Sequence, residues 1–239
     1  MELLKVQIKN WQTFSDVSLE CKDFLVFIGA SSTGKSSLMK ALLYFFQARN
    51  LHDGDIRNPN LPFEIIGTFK GEKGHIFQLR ILNNPYQKTR YFVKNNVFKH
   101  EKNFRNWEEI EEKDYKNYVS EIHIFYVPAF MKTSYLDYLV EKLFQNENLR
   151  KYYKYYKKFK DSIDKKMRAC YEALSQNTKL GLMAIVSTNS SRFIELGNYQ
   201  SLCIFRRIKE EVEICQYGGT LFSGDEVTVF NMNYWINPD

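Results

Sequence analysis

The stretch Phe24-Leu25-Val26-Phe27-Ile28-Gly29-Ala30-Ser31-Ser32-Thr33-Gly34-Lys35-Ser36, followed by Ser37-Leu38-Met39-Lys40-Ala41-Leu42-Leu43-Tyr44-Phe45-Phe46, decides the fold. Its first five residues are a continuous apolar run, the pattern of a strand buried on both faces of a parallel sheet. Residues Gly29 to Ser36 match G-x-x-x-x-G-K-[ST], the P-loop pattern. At average residue frequencies such a match arises by chance in roughly one chain in a hundred of this length. Beyond it, Leu38, Ala41, Leu42 and Phe45 recur at helical spacing. Strand, glycine loop and helix in that order predict an α/β P-loop core.

The chemistry follows from those residue types. Glycines let the backbone wrap closely around phosphates, and successive N–H groups point inward as an anion nest. The helix N-terminus adds its partial positive charge. Lys35 is placed to reach β- and γ-phosphates, and the Ser36 hydroxyl to ligate Mg²⁺. The candidate cofactor-binding residues are Gly29, Ala30, Ser31, Ser32, Thr33, Gly34, Lys35, Ser36 and Ser37, with Ser36 on the metal. No guanine-selecting Asn-Lys-x-Asp stretch occurs, so the expected cofactors are ATP and Mg²⁺.

Working outward, Leu3 to Asn10 alternates as a strand, and Trp11-Gln12-Thr13-Phe14 leads to a second short strand at Val17 to Leu19. Phe63 to Phe69 and His75 to Leu82 read as strands joined by the turn residues Lys70-Gly71-Glu72-Lys73-Gly74. Tyr91 to Val93 and Val97-Phe98 flank Asn95-Asn96, a second hairpin signal. Glu108 to Tyr118 reads as a helix.

The whole N-terminal run, KVQIKNWQTFSDVSLE…FLVFIGASSTGKSSLMKALLYFF, resembles ABC-type DNA-associated ATPases. These include the chromosome-maintenance heads and, more closely, the overcoming-lysogenisation-defect (OLD) nucleases. The resemblance carries further along the chain. Ile122 to Val127 with Pro128-Ala129 is similar to a strand-then-Pro-Ala element of the OLD group. Leu174-Ser175-Gln176-Asn177-Thr178-Lys179 resembles the ABC signature LSxGxK, with Asn177 where glycine is usual. Ile185-Val186-Ser187-Thr188-Asn189-Ser190 resembles the I-x-S-T-H-S switch, with Asn189 in place of histidine. The resemblance implies an antiparallel β lobe after the P-loop helix. It implies an ATP sandwiched between the P-loop of one head and the signature of another, hence a homo-oligomer, specifically a head-to-head dimer, or a nuclease partner chain. It also implies work with DNA, in phage defence or DNA repair.

One part of the family pattern is not found. An ABC head hydrolyses ATP with four apolar residues followed by Asp-Glu, where the glutamate polarises the attacking water. The apolar runs of this chain end otherwise: Leu182 to Val186 in Ser-Thr-Asn, Leu202 to Phe205 in Arg-Arg, and Ile122 to Val127 in Pro. The Asp225-Glu226 pair follows Gly-Thr-Leu-Phe-Ser-Gly and reads as a turn. Seven residues separate Lys179 from Ser187, whereas a parallel crossover needs about a dozen or more. The catalytic residues are therefore unknown, and whether the chain is an ATPase or a non-hydrolysing nucleotide-dependent assembly module stays open. A small-molecule kinase built on the same loop would need a lid arginine cluster and an acidic base, and neither pattern appears. Phe230 to Asp239 resembles the approach to the Toprim nuclease domain of OLD proteins, and the expectation is a chain without that domain.

Charge is distributed unevenly. The 239 residues carry 34 Lys+Arg and 28 Asp+Glu, a net +6. Residues 150–168 hold nine basic and two acidic side chains, so this segment is +7 and the remainder is −1. Tyr152, Tyr156, Phe159, Ile163 and Met167 recur there every three or four residues, which predicts a long amphipathic helical arm. Its functional reading makes Lys151, Lys154, Lys157 and Lys158 candidate contacts to a DNA backbone. Three segments of one head are expected: a P-loop half with the β lobe over about 1–130, the arm over about 131–178, and the rest of the core over about 179–239.

Composition excludes other classes. At 44% hydrophobic and 26% charged residues the chain has material for a core, so wholesale disorder is excluded. No apolar run approaches the roughly 18 residues of a spanning helix, and the N-terminus lacks a secretory pattern, which predicts a cytoplasmic protein with no membrane contact. Cys21, Cys170, Cys203 and Cys215 are scattered, as are His52, His75, His100 and His123, so structural thiols and surface histidines are expected rather than zinc.

Overall fold

A computed structural model describes residues 1–22, 24–71, 74–85, 87–95, 106–120, 141, 150, 184–188 and 202–216. The chain divides into two compact units. One comprises Met1–Lys22, Val26–His123 and Ser187–Asp239, and the other Asp23–Leu25 and Ile124–Val186.

The first unit is built on a sheet in which alternation dictates the faces. Its strands are β1 (Glu2–Trp11), β2 (Phe14–Glu20), β4 (Phe63–Lys70), β5 (Ile76–Asn83), β6 (Arg90–Asn95) and β7 (Glu108–Ile110), in the order β2-β1-β4-β5-β6-β7 and antiparallel throughout. Ile8, Ile65, Ile81 and Tyr91 stand in one row across four strands, and Val6, Gly67, Leu79 and Val93 in the next. These residues are buried, while Lys5, Lys9, Glu64 and Arg80 alternate with them onto the other face. A register slip of one residue would exchange the two sets, so the pattern fixes the pairing. The expected antiparallel lobe is present.

Helix α1 (Lys35–Phe45) and helix α2 (Glu112–Ser120) supply side chains to the apolar face. Phe45 of α1 lies over Gly67, where a β-carbon would meet its ring at 2.7 Å. Its ring also lies 6.1 Å from Phe69 and 5.9 Å from Tyr115, and the Tyr115 hydroxyl donates to the Phe45 carbonyl at 2.8 Å. Tyr115 and Val119, four residues apart on α2, are its buried positions. Each fully buried ring of this kind contributes roughly 1.5–3 kcal/mol of transfer free energy. The helix of the phosphate loop is thereby anchored to the lobe.

A second sheet has the order β10-β9-β3-β8, with β3 (Phe24–Ile28), β8 (Ala184–Thr188), β9 (Leu202–Ile208) and β10 (Glu211–Gln216). The apolar run before the loop is β3, and it pairs in parallel with β9 through Val26↔Leu202, Phe27↔Cys203 and Ile28↔Ile204. β9 turns back through Lys209, at φ +57°, into antiparallel β10. Both ends of β10 are clipped to β2. The Gln216 side-chain oxygen accepts from the Glu20 N–H at 2.6 Å, its amide nitrogen donates to the Glu20 carbonyl at 2.7 Å, and the Ser15 hydroxyl donates to Glu211 at 2.6 Å.

One expectation is corrected. Glu108 to Tyr118 is not one helix: residues 108–110 form the edge strand β7 and α2 begins at Glu112. Ile110, Glu109 and Glu108 pair with Tyr91, Phe92 and Val93 of β6, and this tertiary pairing overrides the helical preference of a glutamate-rich run. The expected partner of β6 at Val97-Phe98 lies outside the described residues, as do the arm from Lys151 onward and the Ile122–Val127 element.

Candidate functional site

Strand β3 delivers the chain to the loop from the middle of the core: Leu25, Val26, Phe27 and Ile28 are all buried. Gly29 is then pressed against β9, where a β-carbon would overlap the Phe205 carbonyl oxygen and stand 2.8 Å from Thr33 Oγ1. The loop turns through Ser32 at φ +64° and Gly34 at φ +95°, the left-handed region. A β-carbon on Gly34 would meet Thr13 Oγ1 at 2.9 Å and the Phe14 ring at 3.0 Å. Each motif glycine is therefore required by the backbone or ring packed on it.

The loop opens directly onto α1. Gly34 is the cap residue, no side chain caps the helix, and the first turn holds no acidic residue. The first intrahelical bond runs from Leu38 N–H to the Gly34 carbonyl at 2.9 Å. The leading N–H groups are thus left to solvent or a ligand, with the positive end of the helix dipole behind them. Such an end is an anion site in waiting.

Lys35 completes it. Its side chain is buried within the loop, and Nζ donates to the Gly29 carbonyl at 2.6 Å and the Ala30 carbonyl at 2.7 Å, with Thr33 Oγ1 at 3.5 Å. Burial pushes the Lys35 amine below its ordinary value, because the charged form loses solvation. An anion in the loop would return an opposite charge to it. Thr33 Oγ1 donates to the Ala30 carbonyl at 2.8 Å and locks the turn. Ala30, Ser31, Ser32 and Ser36 are exposed, whereas Thr33, Gly34 and Ser37 are buried. These residues fit a Mg²⁺-polyphosphate: backbone donors and Lys35 would hold the phosphates and the Ser36 hydroxyl would hold the metal, which would supply charge neutralisation.

A wall of residues that the motif does not name stands behind the loop. Trp11 is fully buried, its Nε1 donates to the Ser37 carbonyl at 3.1 Å, and its ring stacks on Tyr44 and meets Phe63 edge-on. Thr13 and Phe14 touch the position of Gly34, and Thr13 Oγ1 is buried without a hydrogen-bond partner among the described residues. The sequence signal was the aromatic pair around Gln12-Thr13, but nothing in it said which loop that segment meets.

Of the other candidates, Ser175, Asn177, Asn189, Lys151, Lys154, Lys157 and Lys158 lie outside the described residues. The switch-like stretch begins on β8. Strands β3, β8 and β9 contain no Asp or Glu. Among the described residues no three His, Cys, Asp or Glu side chains gather to hold a metal, and no helix is long and apolar enough to cross a membrane. Cys21 and Cys203 are buried free thiols, and burial pushes both up to about 12.

A family model described as an AAA ATPase domain matches residues 1–204. The SMC head domain from Thermotoga maritima is similar in structure, with a TM-score of 0.59 at 12% sequence identity over 92% of this chain and 100% of that chain. A structure of the recombination mediator protein RecF-ATP in the RecFOR pathway aligns with a TM-score of 0.41 at 14% identity, over 72% of this chain and 50% of that one. No curated protein matches. The likeness to the SMC head is one of fold.

Proposed function

Because this chain belongs to the AAA ATPase domain family, we propose that it is an ATP-binding head of the ABC type, holding ATP and Mg²⁺ in the loop Gly29–Ser36. The observation that carries this reading is Lys35, whose ammonium is held inside the loop by the Gly29 and Ala30 carbonyls beside an α1 N-terminus that no side chain caps. A cation and the uncapped N–H donors of the first helical turn lie together there, an arrangement that favours an anion.

The finer reading is of an OLD-like head that dimerises or joins a nuclease partner and acts with DNA. It is supported by the resemblance of residues 2–48 to that group and by the signature-like Ser175 and Asn177, which in a head-to-head pair would approach the partner's nucleotide. The basic segment 150–168 supports contact with a phosphate backbone. The proposed organisation remains a P-loop half over about 1–130, an arm over about 131–178 and a core segment over about 179–239.

A second reading is favoured by one specific observation: β3, β8 and β9 carry no carboxylate. A head without a glutamate to polarise water would bind ATP and change partners without chemistry, shifting an equilibrium through differential affinity. One incubation separates the two. Labelled ATP and Mg²⁺ are mixed with wild type and Lys35→Ala, and both retained nucleotide and released ADP are read. Lys35-dependent ADP release selects the ATPase, retained ATP without ADP selects the assembly module, and neither retained nucleotide nor released ADP with wild type refutes both.

A further inference from the structure

We infer that Asp55 is a positioning residue for the phosphate loop, acting through Gln12 and the β1–β2 turn that walls the loop at Gly34. The inference rests on that loop being the nucleotide site.

Asp55 belongs to a short 3₁₀ turn, Asp53–Asp55, far from the P-loop in sequence, and its side chain is 3% exposed. A buried carboxylate is tolerated only when its lone pairs are filled. Here all four positions are. Oδ1 accepts from Gln12 Nε2 at 2.7 Å and Arg49 Nη1 at 3.2 Å, and Oδ2 accepts from Arg49 Nη2 at 2.8 Å and the His52 N–H at 2.9 Å. Arg49 lies four residues beyond the end of α1, and Gln12 precedes Thr13 and Phe14, which pack against the cap residue Gly34, so this one carboxylate joins the segments that flank the two ends of the helix.

The tie ends on the loop wall. Gln12 sits at φ +43°, a left-handed conformation that a side chain with a β-carbon adopts at a cost and keeps only when its surroundings over-determine it. Segment 55–57 does so. The Asp55 carbonyl accepts from Gln12 N–H at 2.8 Å, Ile56 bridges Trp11, and Arg57 Nη1 donates to the Thr13 carbonyl at 3.2 Å. Thr13 and Phe14 then stand within about 3 Å of where a Gly34 side chain would begin. Without the brace, the strained turn is free to relax and the back wall of the loop moves with it.

Asp55→Ala leaves Arg49 unpaired and threatens folding, so the deciding variant is Gln12→Glu, of equal length, which replaces the donor with a carboxylate facing Asp55. Gln12→Lys restores a donor that can reach Asp55. Hydrogen–deuterium exchange is measured without nucleotide, where added charge cannot act on a bound phosphate, and ATP affinity is measured separately. Gln12→Glu should speed exchange in 29–38 about fivefold, the factor a single broken hydrogen bond carries. Peptides within 76–95 should be unchanged, Gln12→Lys should return exchange in 29–38 close to wild type, and ATP affinity should follow the same order. Unchanged exchange in 29–38, or an equal rise in every peptide, overturns the inference. A loop-specific change with no ATP binding by wild type upholds the positioning and refutes the nucleotide reading instead.

Discussion

A β-carbon on Gly29 would overlap the carbonyl oxygen of Phe205, so the first glycine of the loop and the parallel strand β9 are in direct backbone contact. Because that oxygen belongs to a paired strand, it cannot swing aside. Gly29→Ala must displace either β9 or the loop, an overpacking that costs roughly 1–3 kcal/mol. The expected outcome is a Tm several degrees lower, with ATP binding lost. A variant with wild-type Tm and wild-type affinity would show that the contact is looser than described.

Gly67 makes the same test away from the loop. Its missing side chain admits the Phe45 ring, which lies 2.7 Å from where a β-carbon would stand, between β4 and the aromatic cluster of Phe69 and Tyr115. Gly67→Ala is expected to destabilise by roughly 1–3 kcal/mol, read as a shifted denaturation midpoint with an unchanged m-value. ATP affinity in the folded population should change far less than in Gly29→Ala.

Alkaline pH is expected to destabilise the fold. Burial pushes Cys21 and Cys203 from an ordinary value near 9 up to about 12, Tyr91 from 10 up to about 12, and Tyr115 well above 10. These groups stay protonated in the folded chain while the unfolded chain releases their protons, so stability is fully present below pH 9 and falls between pH 9 and 12. The lowered Lys35 amine acts in the opposite direction and offsets part of the loss. Melting curves from pH 8 to 11 check the slope, and thiol labelling of the native protein should spare Cys21 and Cys203. Prompt labelling of both at pH 8 would contradict the burial.

The strands of the β lobe and the loop with its helix were legible because each rests on local periodicity: Val6, Ile8 and Leu79 alternate with polar neighbours, and Leu38, Ala41, Leu42 and Phe45 recur along one side of α1. What was not legible is contact between distant loops. Leu202 to Phe205 was readable as an apolar run, but not as the strand beside β3, because its partner is more than 170 residues away. Gln12 and Asp55 gave no pattern at all, since a buried carboxylate in a 3₁₀ turn looks like any polar turn residue. Glu108 to Ile110 misled because an edge strand of three residues is too short to show a period.

The basic segment supports a separate prediction. Replacing Lys151, Lys154, Lys157 and Lys158 by Glu is expected to weaken DNA binding and flatten its dependence on salt concentration, since every phosphate left without its lysine lowers the slope by about 0.9 for duplex DNA. Titrations of one duplex at several salt concentrations measure this. If wild type shows no salt-sensitive binding, the segment is a solvated surface.

The most direct test of the central claim is a calorimetric titration of ATP with Mg²⁺ into wild type and into Lys35→Ala, whose melting curve is recorded alongside. Saturable binding by wild type, abolished in a Lys35→Ala variant that melts as a folded protein, is the predicted result. Equal affinity in the two proteins would contradict it, since the ammonium held by Gly29 and Ala30 would then contribute nothing to the ligand.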